Sequence, residues 1–106
     1  MRLWLPVICI LLSFGSLALG SSRSQRERGA AVFAASGCRH CHAIQNAGGH
    51  KGPNLSSVGR TLTKTKIREQ ILRGGNEMPP FAGDLEPAEV KDLVAYLRSC
   101  REKLKR

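Results

Sequence analysis

The spacing of hydrophobic positions along the 106 residues predicts helices and no strands. Leu3 to Leu19 is almost wholly apolar, and Ser21 to Arg28 behind it is polar and charged with no apolar period, which predicts a flexible basic leader. From Gly29 the run Gly-Ala-Ala-Val-Phe-Ala-Ala-Ser is rich in helix formers, with Gly29 and Phe33 four apart on one face, so a short helix is predicted to end near Gly37. Between Ile44 and Arg60 the chain has loop composition, with Gly48, Gly49, Gly52 and Gly59 beside Pro53 and Asn54. Thr61 to Arg73 places Leu62, Ile67, Ile71 and Leu72 at near-helical spacing, and Gly74-Gly75 supplies a stop. Met78-Pro79-Pro80-Phe81 excludes both helix interior and central strand, so Asn76 to Gly83 is predicted to be an extended loop. The longest helix is predicted from Pro87, a good first helical residue, to about Cys100, with Val90, Leu93, Val94 and Leu97 recurring at three and four. Glu86 stands at its cap in place of Ser, Thr or Asp, which predicts a loose start. The tail, Arg101 to Arg106, is simply basic.

The first twenty residues read as a signal peptide: a basic start at Met1-Arg2, an apolar run, and small residues at Ala18 and Gly20 spaced for cleavage. The rival is an uncleaved anchor, for the run sits at the short edge of what spans a bilayer. Arg23, Arg26 and Arg28 argue for the rival, since a basic cluster prefers the cytoplasmic side. Cys9 lies inside the run without a small residue before it and reads as an ordinary apolar position.

Size then sharpens the question. With 42% hydrophobic and 24% charged residues the composition is globular and admits one domain, which excludes a disordered chain or a multi-span membrane protein. A domain this small buries too little surface for a comfortable margin unless a disulfide, metal or cofactor adds to its core. Such a staple is expected at the cysteines.

Cys38-Arg39-His40-Cys41-His42 has the form C-x-x-C-H, the attachment signature for c-type haem. Two thiols three positions apart reach the vinyl groups of adjacent pyrroles and form thioethers, and the histidine after the second thiol falls beneath the iron as proximal ligand. Three other readings are weaker. A redox-active dithiol would want a preceding strand and a βαβ context. Zinc would need two further ligands, and His50 and Cys100 belong to no second pair. A Cys38–Cys41 disulfide would close too small a ring to stabilise a fold. For the second axial position the candidate is Met78, the one methionine besides the initiator, on a proline-stiffened loop that cannot be helix core. His50 is the rival ligand, and His40 is expected to be exposed.

In these residues the chain resembles the small single-haem class I cytochromes c of bacterial type. The resemblance covers Gly29 to Cys100 and rests on the C-x-x-C-H motif together with Gly52-Pro53-Asn54-Leu55, Gly59-Arg60, Met78-Pro79-Pro80-Phe81 and Leu93-x-x-Tyr96-Leu97. It implies an all-α fold, three to four short helices around one covalently attached haem, with the N- and C-terminal helices crossing where Gly29 permits close approach and Phe33 packs near Leu93, Tyr96 and Leu97. It further implies that Cys38 and Cys41 carry the thioethers, that the Pro53 carbonyl accepts a hydrogen bond from the proximal imidazole of His42, and that Arg60 lies near a haem propionate. Asn76 is the candidate to hydrogen-bond near Met78. Cys100 is left as an odd thiol, either buried or a route to a disulfide dimer of an otherwise monomeric chain.

With both axial positions filled, no site is open to substrate, so the expected function is one-electron transfer rather than enzymatic turnover. A free periplasmic shuttle is the first reading. A haem subunit bound permanently to a dehydrogenase or oxidase is the second, and weak peroxidase or gas binding through a labile Met78 the third. The motif favours export, because its thioethers are made outside the cytoplasm; a membrane-anchored form facing the periplasm is the alternative. The formal net charge of +9, with Lys51, Arg60, Lys64, Lys66, Arg68 and Arg73 between the motif and the Met78 loop, points to acidic redox partners or simply to a solvated helix face. Nucleic acid is not expected, since aromatic residues are only 5% and offer few stacking platforms.

Overall fold

Helix α1 (Leu17–Ala35) and helix α4 (Pro87–Ser99) pack against one another and carry the rest of the domain, in a computed structural model that describes residues 17–103. Gly29 makes the approach possible: a Cβ there would strike the Asp92 carbonyl and come within 2.7 Å of Tyr96 Cβ. Phe33 and Leu93 fill the space beside it, each 2% exposed, and the Phe33 ring meets Tyr96 at 5.8 Å between centroids with a tilt of 58°. Arg28 Nε bonds Asp92 Oδ2 at 3.1 Å across the same crossing.

Residues 21–28 differ from the flexible leader that their polarity predicts. They continue α1, for Arg, Gln and Glu are good helix formers even without an apolar stripe, and Arg23 reaches Glu27 at 3.4 Å one turn on. The helix stops where the pattern places its end, as Gly37 takes φ 77°. Of the segment read as a signal peptide, residues 1–16 lie outside the described residues, as do 104–106 of the basic tail. No helix among the described residues is long and apolar enough to cross a membrane.

A 3-10 turn (Cys38–His40) leads into a hairpin of two-residue strands, β1 (Ala43–Ile44) and β2 (Ala47–Gly48). The absence of strands expected from the pattern is thereby corrected: Gln45 and Asn46, at φ 50° and 66°, form a two-residue turn, and strands this short show no alternation. Helix α2 (Val58–Thr61) occupies the end of the stretch read as loop. Helix α3 (Lys64–Arg73) follows, capped by Thr63, whose hydroxyl accepts the Lys66 N–H at 3.2 Å. Its buried Ile67 and Ile71 join Val58, Val90, Val94 and Leu97 in the core. Each such side chain contributes roughly 1.5–3 kcal/mol when fully buried. The start of α4 is firmer than Glu86 suggests, because the Glu89 carboxylate turns back to accept the Glu86 N–H at 3.0 Å.

Candidate haem site

The 3-10 turn is closed by Cys41 N–H and His42 N–H, both donating to the Cys38 carbonyl, at 3.3 and 3.0 Å. It sets Cys38 and His42 on the wall of one cleft, with Cys41 half-buried beside them. Burial pushes the Cys38 thiol above its ordinary range; a backbone hydrogen bond opposes the rise in part, and the nearby Cys41 adds a lesser push upward. Cys38 therefore lacks the low-pKa thiolate that the attacking sulfur of a redox dithiol needs.

His42 Nδ1 lies 2.8 Å from the Pro53 carbonyl. A carbonyl only accepts, so Nδ1 carries the proton and Nε2 keeps its lone pair for a metal. The loop holding Pro53 is hung from the motif itself, with Gly52 N–H on the Cys41 carbonyl at 2.7 Å and Leu55 N–H on Ala43 at 2.8 Å. Gly52 fits against the imidazole so closely that a Cβ would stand 2.5 Å from His42 Cε1.

Met78 reaches the same cleft from the other side of the sequence. Gly75 and Met78 exchange N–H···O bonds of 2.9 and 3.0 Å around Asn76 and Glu77, which take φ 51° and 74°. This tight turn, with left-handed backbone at both centres, folds the loop back after Gly74 ends α3, and Phe81 N–H ties it to the Ile71 carbonyl at 3.0 Å. The polar group at the sulfur is Gln70, whose Nε2 donates to Met78 Sδ at 3.6 Å and to the Gly74 carbonyl at 3.2 Å. Among the described residues the Asn76 side chain makes no hydrogen bond to Met78, so Gln70 takes the part expected of Asn76.

Apolar side chains make up the rest of the cleft: Phe33 from α1, Leu93 and Leu97 from α4, Ile71 from α3, Leu55, and Phe81 with Leu85 beyond the Met78 loop. This wall suits a flat apolar macrocycle, which the His42 imidazole nitrogen, the Met78 sulfur and the Cys38 and Cys41 thiols would hold. His40 and His50 are exposed and line no part of it. Arg60 is also exposed, and its Nε donates to the Arg101 carbonyl at 2.7 Å. No group of three or more His, Cys, Asp or Glu among the described residues is placed to hold a metal ion by itself. Cys100 is half-buried at the end of α4, where its thiol donates to the Tyr96 carbonyl at 3.5 Å.

Residues 24–97 match the family model described as cytochrome C oxidase, cbb3-type, subunit III. Cytochrome c6 of Nostoc sp. is 30% identical over 104 residues, covering 88% of this chain and 84% of that protein. Cytochrome c6 of Anabaena variabilis is 32% identical over 80 residues, covering 65% and 84%. Cytochrome c-555 of Methylococcus capsulatus is 36% identical over 62 residues, covering 58% of this chain, which spans 50% of that relative's length. No solved structure matches. Proteins of this kind are electron-transfer proteins, not enzymes, and hold one covalently attached haem c. The match over most of the chain, joined to the helical fold and the paired His42 and Met78 cleft, shows that the chain belongs to the cytochrome c family as a small single-haem domain of class I.

Proposed function

We propose that the protein is a periplasmic one-electron carrier whose haem is attached through Cys38 and Cys41 and ligated by His42 and Met78. The observation that carries this reading is the shared cleft: an imidazole nitrogen with its tautomer set by Pro53 and a thioether sulfur border the same apolar space. When bound, the haem supplies the one-electron couple. His42 and Met78 together leave no position for substrate, the apolar wall excludes water, and a methionine ligand raises the potential relative to a second nitrogen. Export follows from the thioether chemistry and the apolar N-terminal run.

Lys51, Arg60, Lys64, Lys66, Arg68 and Arg73 are all exposed, and none of them joins an ion pair among the described residues. Such a surface supports acidic redox partners, drawn in by long-range attraction. A permanently bound oxidase subunit is the second reading, favoured by the description of the matching family model. Against it, Leu62 is the one large hydrophobic side chain exposed among the described residues, where a fixed interface would leave an apolar patch. An absorption spectrum of the purified protein with and without reductant tests the ligand set. A weak band at the red end of the ferric spectrum reports sulfur on iron; its absence would remove Met78 from the site. Co-purification with a larger chain would favour the subunit reading.

A further inference from the structure

The chain beyond α4 turns back along α2 instead of leaving the domain. Gly59 N–H donates to the Cys100 carbonyl at 2.9 Å, Glu102 N–H to the Ser56 carbonyl at 3.0 Å, and the Ser57 hydroxyl to the Glu102 carbonyl at 2.7 Å. Arginines sew the same seam: Arg60 Nε bonds the Arg101 carbonyl at 2.7 Å, and Arg98 Nη1 bonds the carbonyls of Gly59 and Leu62 at 2.7 and 2.8 Å. Gly59 has no room for a side chain, since a Cβ would strike the Arg98 carbonyl and stand 3.0 Å from that of Cys100.

Of the two serines that receive this segment, Ser56 also closes the loop that carries Pro53. Ser56 N–H bonds Asn54 Oδ1 at 2.9 Å, and Gln45 N–H bonds Ser56 Oγ at 2.8 Å. The Pro53 carbonyl, itself on an exposed residue, thus lies between two fixed points: Gly52 on the Cys41 carbonyl and Ser56 on Glu102. We infer that Cys100 to Glu102 acts as a strap that positions the Pro53 carbonyl on the His42 imidazole, with the Glu102 main-chain N–H and the Ser57 hydroxyl as its positioning groups. This rests on the electron-carrier reading above. A firmly held carbonyl strengthens the imidazole as a donor and so favours the oxidised state of a bound metal. Slackening the strap weakens that donor and raises the potential.

The test separates backbone from side chain, because both strap bonds made by residue 102 are main-chain. In the full-length holoprotein, Glu102→Pro deletes the N–H that Ser56 accepts, and the preceding Arg101 remains compatible with extended backbone. Glu102→Ala keeps that N–H and serves as the matched control; Ser57→Ala, which removes only a hydroxyl, is the second variant should Glu102→Pro fold poorly. Midpoint potential and amide exchange at Gly52 and Leu55 are read on each. The strap predicts that Glu102→Pro and Ser57→Ala lower the oxidised-to-reduced ratio at a fixed poise severalfold and speed exchange at both amides, with Glu102→Ala unchanged. Potentials and exchange rates equal to the control in both variants would overturn it. A wild-type protein that carries no haem would instead remove the underlying reading, and the strap's role with it.

Discussion

Gln70 Nε2 stands 3.6 Å from the sulfur of Met78, linking α3 to the loop that follows it. A donor on the sulfur draws electron density from the ligand and so disfavours ferric iron. Gln70→Leu should therefore lower the midpoint potential. For a net hydrogen bond of about 0.5–1 kcal/mol, the shift for a one-electron couple is roughly 20–40 mV. Met78→Ala should lower it by on the order of a hundred millivolts while the haem stays covalently bound. Spectroelectrochemical titration of both variants checks this; a Gln70→Leu potential equal to wild type would separate Gln70 from the iron.

Gly29 carries the helix crossing, and Gly29→Ala places a methyl against the Asp92 carbonyl. Because the obstacle is backbone, the helices must part, at about 1–3 kcal/mol. Urea unfolding should show a lower midpoint with an unchanged slope. Arg28→Ala, which removes only the partly exposed pair to Asp92, should cost less, about 0–1 kcal/mol.

Burial pushes the Cys100 thiol above its ordinary 9.0, and burial, with Cys100 close by, pushes the Tyr96 hydroxyl above its ordinary 10.0. Both groups are neutral in the fold and ionise more readily in the unfolded chain. Their contribution is therefore complete below the unfolded values and is lost as pH rises through the folded ones. Urea midpoints should hold steady up to about pH 9 and then fall, with Cys100→Ala flattening part of the decline. A midpoint that rose over that range would mean that the two groups ionise more readily in the fold than in the unfolded chain.

Electron exchange with an acidic protein should slow steeply with added salt, since exposed charges are screened over about 10 Å at 0.1 M. Lys64→Glu with Lys66→Glu should slow it further at low salt and leave the potential nearly unchanged. Rates indifferent to salt would assign the basic face to solubility alone.

Much of the site is legible in the sequence because its parts are local. The C-x-x-C-H pentapeptide, Gly52-Pro53 and Met78-Pro79-Pro80 each dictate their own backbone, and α4 begins at Pro87 where its apolar period does. What escapes the pattern depends on contacts between distant segments. Gln70 reads as surface on a polar helix, and only the Asn76-Glu77 turn brings the sulfur to it. The hairpin at Gln45-Asn46 is too short to show alternation, α2 is a single turn, and residues 21–28 are helical through charged helix formers that pattern reasoning takes for linker. The strap at Cys100 to Glu102 is held through its own main-chain N–H and carbonyl groups, so the side chains of those three residues give no clue to it, and the partners Ser57 and Arg60 read in the sequence as ordinary polar surface.

Intact mass of the protein exported from cells able to attach haem reads the thioether attachment itself. The expected product is a polypeptide heavier by one haem that survives denaturation, with that increment lost when Cys38 and Cys41 are both replaced by Ala. A wild-type mass equal to that of the amino acids alone would contradict that attachment.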